Sequence, residues 1–290
     1  MKSVLKDINY FLVKVLSLLP LQILYFISDI MYLFINYVIK YRKKVIYNNL
    51  KNSFPDKTDN EIKKLVKKFY RHFCDSLIET LALVSMSEKE IKKRMRYRNL
   101  EILDKYYKEN KSVCAVFGHY GNWEWLAGLP FYCKHQVYAI YLPLTNNFFD
   151  ELIKNARSKF GAKCIKKQSA LYKIIENHNK GILTLTFFLG DQTPMHNEIG
   201  YWTNFLNQDT PVYLGVEKIS KKTNQAVVFF KISKIKRGFY ETEIINIEEN
   251  PCNTDEFEIT EKHVKLLESI ISEKPEYWLW SHRRWKHKKI

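Results

Sequence analysis

The chain has 290 residues, 46% of them apolar and 15% aromatic, and 47 Lys and Arg against 31 Asp and Glu give a formal charge of +16. That content supports one sizeable core with room for two subdomains, and so basic a balance calls for an anionic partner: nucleic acid, anionic lipid or a phosphorylated substrate. The five cysteines are an odd number, scattered without a CxxC pair, which argues against a disulfide framework and a structural zinc site and fits a reducing compartment.

Residues 10–40 form the most apolar segment, interrupted by Lys14, Pro20 and Asp29. A bilayer span needs about 20 apolar residues, and the longest uncharged piece, Val15 to Ser28, falls short of it. The pattern predicts two helices, or one kinked helix, in or dipping through a membrane, with Pro20 in the first turn of the second. No small-residue cleavage site follows, which argues against a removed leader. Lys40, Arg42, Lys43 and Lys44 come directly after and point to the cytoplasmic side and to anionic headgroups. A buried core helix with a solvated basic end would leave the same trace.

Thr58 to Glu61 reads as a capping start. The helix behind it places Ile62, Leu65, Val66, Phe69, Phe73, Leu77 and Leu81 on one face, with a lysine-rich opposite face. Lys89 to Arg98 reads as a solvated basic helix face. The chain thus divides into an N-terminal membrane-associated helical segment, 1–45, and a larger domain, 46–290, helical to residue 100 and α/β from 101.

From residue 100 short apolar runs alternate with helical patterns. A strand is predicted at Val113–Phe117 and a helix near Trp123–Tyr132. A strand at Val137–Leu142, a helix at Phe148–Phe160, a strand at Ala162–Ile165, a helix at Ala170–Asn177 and a strand over Ile182–Leu189 follow. This rhythm implies an α/β fold with a mainly parallel sheet flanked by helices. A helix over Gln208–Ser220, an antiparallel strand pair at Ala226–Ile232 and Tyr240–Ile247, and a final helix at Thr254–Ser272 complete the chain. Ligands of such sheets bind beyond the carboxyl ends of the strands. Two ends carry polar signals, Gly118-His119 and Gly190-Asp191-Gln192, and their convergence on one crevice is expected.

The chemistry centres on KSVCAVFGHYGNWEWL, residues 111–126. His119 stands where a strand ends, and Glu124 in the first turn of the following helix. The Gly121-Asn122 turn between them lets the carboxylate come back onto the imidazole. A base needs such a partner: one ring nitrogen takes a proton from a hydroxyl while a carboxylate on the other fixes the tautomer. Cys114 lies inside an apolar strand and reads as core, so the simplest reaction is direct attack of a deprotonated substrate hydroxyl on an activated acyl group. An ordinary His–Glu hydrogen bond has the same spacing. Arg157 suits a phosphate clamp or a plain surface position. Asp191-Gln192 suits a sugar, an amide or a catalytic neighbour, or a turn cap. His282 is a second base candidate but has no acid at a comparable spacing. There is no P-loop, GxGxxG, HExxH or GxSxG, so no nucleotide, metal or other cofactor is implied.

At His119-Tyr-Gly-Asn-Trp-Glu124 the chain resembles the lysophospholipid acyltransferase superfamily, whose signature is His, four residues, then Asp or Glu. Further stretches are similar to one branch of it, the lipid A biosynthesis lauroyl/myristoyl (late) acyltransferases: Arg42 to Pro55, Arg157 in ARSKFGA, Gly190-Asp191-Gln192, and Tyr277 to Lys286, YWLWSHRRWK. Together they run from about residue 8 to 286. The resemblance implies transfer of a fatty acyl group from acyl carrier protein, or coenzyme A, to a hydroxyl of a lipid A precursor at the cytoplasmic face of the inner membrane. It implies His119 as general base with Glu124 orienting it, and Asn122, Arg157, Asp191, Gln192, Arg283 and Arg284 as substrate-binding. Membrane lipids would be partners, and nucleic acid would not. A glycerol- or amino-acid-based lipid acceptor is the alternative within the superfamily, and a basic nucleic-acid-binding protein the alternative outside it.

Overall fold

A computed structural model of the protein describes residues 12–289; the start of the segment predicted over 1–45, through residue 11, lies outside it. Helix α1 (Leu21–Leu33) begins behind Pro20 and continues as a π-helical turn, Phe34–Ile39, that stops at Lys40 in the left-handed conformation. Helix α2 (Lys43–Ser53) leads to α3 (Asp59–Leu83). The predicted capping box is there: Glu61 N–H donates to Thr58 Oγ1, and the Glu61 carboxylate accepts from the Thr58 backbone. Helix α4 (Glu88–Arg94) runs straight into strand β1 (Met95–Arg98), where only a basic helix face was expected.

Then come α5 (Glu101–Lys108), β2 (Val113–Phe117), a 3₁₀ helix (Trp123–Phe131), β3 (Gln136–Tyr141), α6 (Asn147–Ser158), β4 (Lys163–Lys166), α7 (Lys167–Asn179) and β5 (Thr184–Leu189). Strands β6 (Trp202–Phe205) and β7 (Gln208–Pro211) pair as an antiparallel hairpin. The helix expected from Gln208 therefore starts only at Gly215, as α8 (Gly215–Thr223). Strands β8 (Ala226–Lys236) and β9 (Phe239–Glu248) turn at Arg237-Gly238, and α9 (Glu258–Glu273) precedes the tail.

Seven strands form one sheet in the order β1-β9-β8-β2-β5-β3-β4, parallel at every pair except β8–β9. Strand β2 is central and wholly buried, and its two-residue period feeds both faces. Cys114 and Val116 join a cluster with α9, while Val113, Ala115 and Phe117 join a second with Trp125 and Leu129. Helix α3 spans both clusters, with Phe69 and Cys74 in the first and Ile78 and Leu83 in the second. Because β2 and β5 run parallel with Phe117 opposite Leu189, the two polar ends stand side by side.

Candidate active site

The last residues of β2 and β5 deliver His119 and Asp191 to one point. His119 Nδ1 lies 2.6 Å from Asp191 Oδ1, and the His119 backbone N–H donates to Asp191 Oδ2 at 2.8 Å. Trp278 Nε1 donates to the same Oδ2 at 2.7 Å. Gly118 permits this approach, because a Cβ there would meet Leu267 at 2.7 Å and Asp191 Oδ2 at 3.2 Å. Burial would push the Asp191 carboxyl up, but the charge and hydrogen bonds of His119 and the Trp278 N–H outweigh it and hold it at about 2. Asp191 is therefore the ionised acceptor, so Nδ1 carries the ring hydrogen and Nε2 is the bare nitrogen. Gln192 Nε2 stands 3.3 Å from it and donates. The His119 side chain is 15% exposed, enough for a substrate hydroxyl to take the place of the Gln192 amide.

Glu124, expected on the imidazole, is engaged elsewhere. Arg157 grips it with two parallel bonds, Nε to Oε2 at 2.7 Å and Nη2 to Oε1 at 2.6 Å, and Trp123 Nε1 donates to Oε1 at 3.0 Å. Burial raises the Glu124 carboxyl, yet the Arg157 charge and these bonds hold it below the usual range. The carboxylate on Nδ1 is thus Asp191, 72 positions along the chain, and Glu124 reaches the imidazole only through its field and through Trp123, whose ring packs edge-on to His119 at 5.0 Å. Arg157, expected to clamp a phosphate, spends its fork on Glu124 instead.

This ion pair closes one wall of a narrow cleft. Its other walls are Phe117, Trp123, Leu126, Ala127, Ala139, Ile140, Ala162, Phe187 and Leu189, all apolar. A second, small cavity lies beneath Asp191. Arg284 lines it, only 2% exposed, with Nη2 donating to the Pro211 carbonyl at 2.7 Å. Arg284 is therefore beyond reach of a lipid phosphate, while Arg283 stays at the surface. Asn122 is also withdrawn from substrate: it is 2% exposed, its amide nitrogen donates to Glu79 and its oxygen accepts from the Trp125 N–H. His282 is structural, with Nε2 accepting from the Thr193 N–H at 3.1 Å. Cys114 is buried, and burial pushes its thiol up, away from nucleophilic use.

The tail holds the loop from outside. Tyr120 and Trp278 form an antiparallel bridge, Leu279 N–H donates to the His119 carbonyl, and Gly121 N–H donates to the Tyr277 carbonyl. Trp278 lies in the tail stretch that carries the resemblance, which gives it no role, and the α3 residues behind the loop carried no sequence signal for the site. Their parts depend on pairings across most of the chain.

A sequence model of the bacterial lipid A biosynthesis acyltransferases matches residues 4–287. The chain is similar to the lipid A biosynthesis palmitoleoyltransferase of Escherichia coli (strain K12), 22% identical over 254 residues that cover 87% of this chain and 81% of that protein. It is also similar to lipid A biosynthesis acyltransferase 2 of Shigella flexneri, 21% identical over 240 residues, covering 80% and 74% of the two chains. A match that begins before the apolar helix and ends beyond the tryptophan-rich tail takes in every part of the site, and the protein accordingly belongs to the bacterial lipid A biosynthesis acyltransferases, enzymes of acyl transfer to lipid A.

Proposed function

We propose that this chain moves a fatty acyl group from acyl carrier protein, or from coenzyme A, to a hydroxyl of a lipid A precursor at the cytoplasmic face of the inner membrane. The observation that carries the proposal is the imidazole whose Nδ1–H is fixed on a buried carboxylate and whose ring packs against Trp123, a wall of the greasy cleft. His119 Nε2 takes the proton of the acceptor hydroxyl as its oxygen attacks the thioester carbonyl carbon. The new C–O bond forms, the C–S bond breaks, and the departing thiolate recovers the proton from the imidazolium. Asp191 favours that imidazolium without taking the proton itself. The acyl tail lies along the apolar cleft, with Glu124 and Arg157 forming its polar lip.

Helix α1 supports a lipid surface as the workplace. Two of its polar side chains turn inward, Tyr25 donating to Glu79 and Ser28 to Asp75, while the largely exposed Asp29 pairs with Arg237. Phe26, Ile30, Leu33, Phe34 and Val38 face out, each more than half exposed. From Leu21 to Ile39 the helix is long and apolar enough to cross a membrane. Bonds to the body of the protein along its polar side favour lying in one leaflet instead, with Lys40, Lys43 and Lys44 at the headgroups.

The test is purified full-length protein with acyl carrier protein thioesters and a lipid A precursor, read by mass spectrometry. The expected product is the precursor plus one acyl group, absent with a folded H119A variant. Acylation of a lysophosphatidate but not of the precursor would move the acceptor to glycerolipids, and full activity in H119A would remove His119 from the base role.

A further inference from the structure

Behind the catalytic loop lies a carboxylate that the reaction as described does not use. Glu79, near the C-terminal end of α3, has no exposed surface. Isolating a carboxylate in a core costs several kcal/mol unless donors surround it, and three do. Tyr25 Oη of α1 donates to Oε1 at 2.7 Å, while Tyr240 Oη of β9 and Asn122 Nδ2 donate to Oε2 at 2.8 and 2.7 Å. The Glu79 carbonyl also accepts from Trp125 Nε1 at 3.1 Å. Asn122 in turn caps the 3₁₀ helix, its Oδ1 accepting from the Trp125 N–H at 3.2 Å. The next two residues are Trp123, against the imidazole, and Glu124, against Arg157. Core volume alone calls for none of this; a leucine in the same place would pack with less cost.

We propose that Glu79 is a positioning residue for the acyl transfer: through Asn122 it sets where the Trp123–Glu124 step stands beside His119, and through Tyr25 it ties that setting to the apolar helix α1. The inference rests on the proposed reaction for its kinetic arm. It also has an arm independent of activity.

Asn122→Ser keeps a side chain able to cap the 3₁₀ helix but cannot reach Glu79. It is expected to lower kcat roughly ten- to a hundredfold, the cost of a small misplacement of the site, with the KM for the acyl donor within about twofold of wild type. Glu79→Gln presents an amide to three donors and is expected to do the same. Combining Glu79→Gln with Asn122→Asp reverses the bond: the amide introduced on α3 now donates to the carboxylate introduced on the loop, which still accepts from the Trp125 N–H. That double variant should recover most of the lost kcat, which mere loosening of the fold would not allow. Hydrogen exchange of the segment 119–126 is followed on the same full-length samples, with faster exchange expected in N122S and E79Q and return in the double variant. Wild-type kcat in N122S, or a double variant no better than its worse parent, overturns the proposal. Should wild type itself fail to acylate the precursor, the proposed function falls and the exchange data decide the coupling alone: unchanged rates at 119–126 in N122S overturn it.

Discussion

At the scale of single residues, the site separates two carboxylates that sequence spacing alone confuses. Asp191 touches the imidazole and Glu124 touches Arg157. In Asp191→Asn no orientation serves: the amide N–H₂ meets either the two donors now on Oδ2 or the Nδ1–H. The second choice shifts the ring hydrogen to Nε2 and removes the base. Steady-state kinetics of D191N should show kcat down roughly 10²–10⁴-fold with little change in the KM of the acceptor; a loss below tenfold would refute the dyad. Glu124→Gln acts differently, by leaving a partly buried guanidinium without its counter-charge. Denaturation should report roughly 3 kcal/mol of lost stability, largely restored when Arg157→Gln is added. Glu124 was legible because it stands five positions from His119. Asp191 was legible only as one of two polar strand ends, since what pairs it with the imidazole is the adjacency of β2 and β5, and no local pattern records strand order.

At the scale of elements, the parallel strands and the long capped helix follow from periodicity, whereas three features do not. The β6–β7 hairpin turns on Leu206 and Asn207, both with positive φ, 52° and 61°. Such a primed turn announces itself through Asn or Gly, and a leucine at its first position hides it. Strand β1, Met-Arg-Tyr-Arg, is an edge strand whose charged residues keep it from pairing further, so it reads as a continuation of the basic helix. Helix α1 is apolar at first sight, and which side faces in rests on the spaced stripe Leu24, Tyr25, Ser28 and Tyr32. That orientation makes a prediction. Phe26 and Val38 are 66% and 64% exposed, so glutamates there leave the packing on α3 alone. Burying one large apolar side chain is worth about 1.5–3 kcal/mol. Cosedimentation of the F26E/V38E protein with phosphatidylglycerol-containing vesicles should therefore fall tenfold or more, with the thermal midpoint in the absence of lipid unchanged. Undiminished vesicle binding would show that another surface meets the membrane.

At the scale of the whole molecule, the back wall of the site is built on neutral histidines, and this links fold stability to pH. His72 on α3 holds the Gly121 carbonyl, with Nε2 at 3.2 Å; His263 on α9 lines the cavity beneath Asp191; His282 receives the Thr193 N–H. Burial pulls all three down from 6.5, His72 to about 3 with help from the Lys234 charge, and His263 and His282 each to about 4. A depressed folded pKa means that between about 4 and 6.5 the unfolded chain binds the protons that the folded chain refuses. Stability contributed by these groups is complete above 6.5 and is lost as pH falls through that window. Each of the two deeply buried histidines, His72 and His263, sets a slope of up to about 1.4 kcal/mol per pH unit there. Glu79 opposes them, because burial raises its carboxyl and the folded state gains from its protonation on the acid side. Asp191 and Glu124, both depressed, add their losses only below the ordinary carboxylate range. Two full histidine slopes exceed one opposing carboxyl, so the denaturant midpoint of the full-length protein should fall steadily from pH 6.5 to pH 4.5. His263→Gln, which cannot take up a proton, should make that fall shallower. A midpoint constant between pH 7 and 5 would mean that the histidines behind the loop are not held neutral by burial.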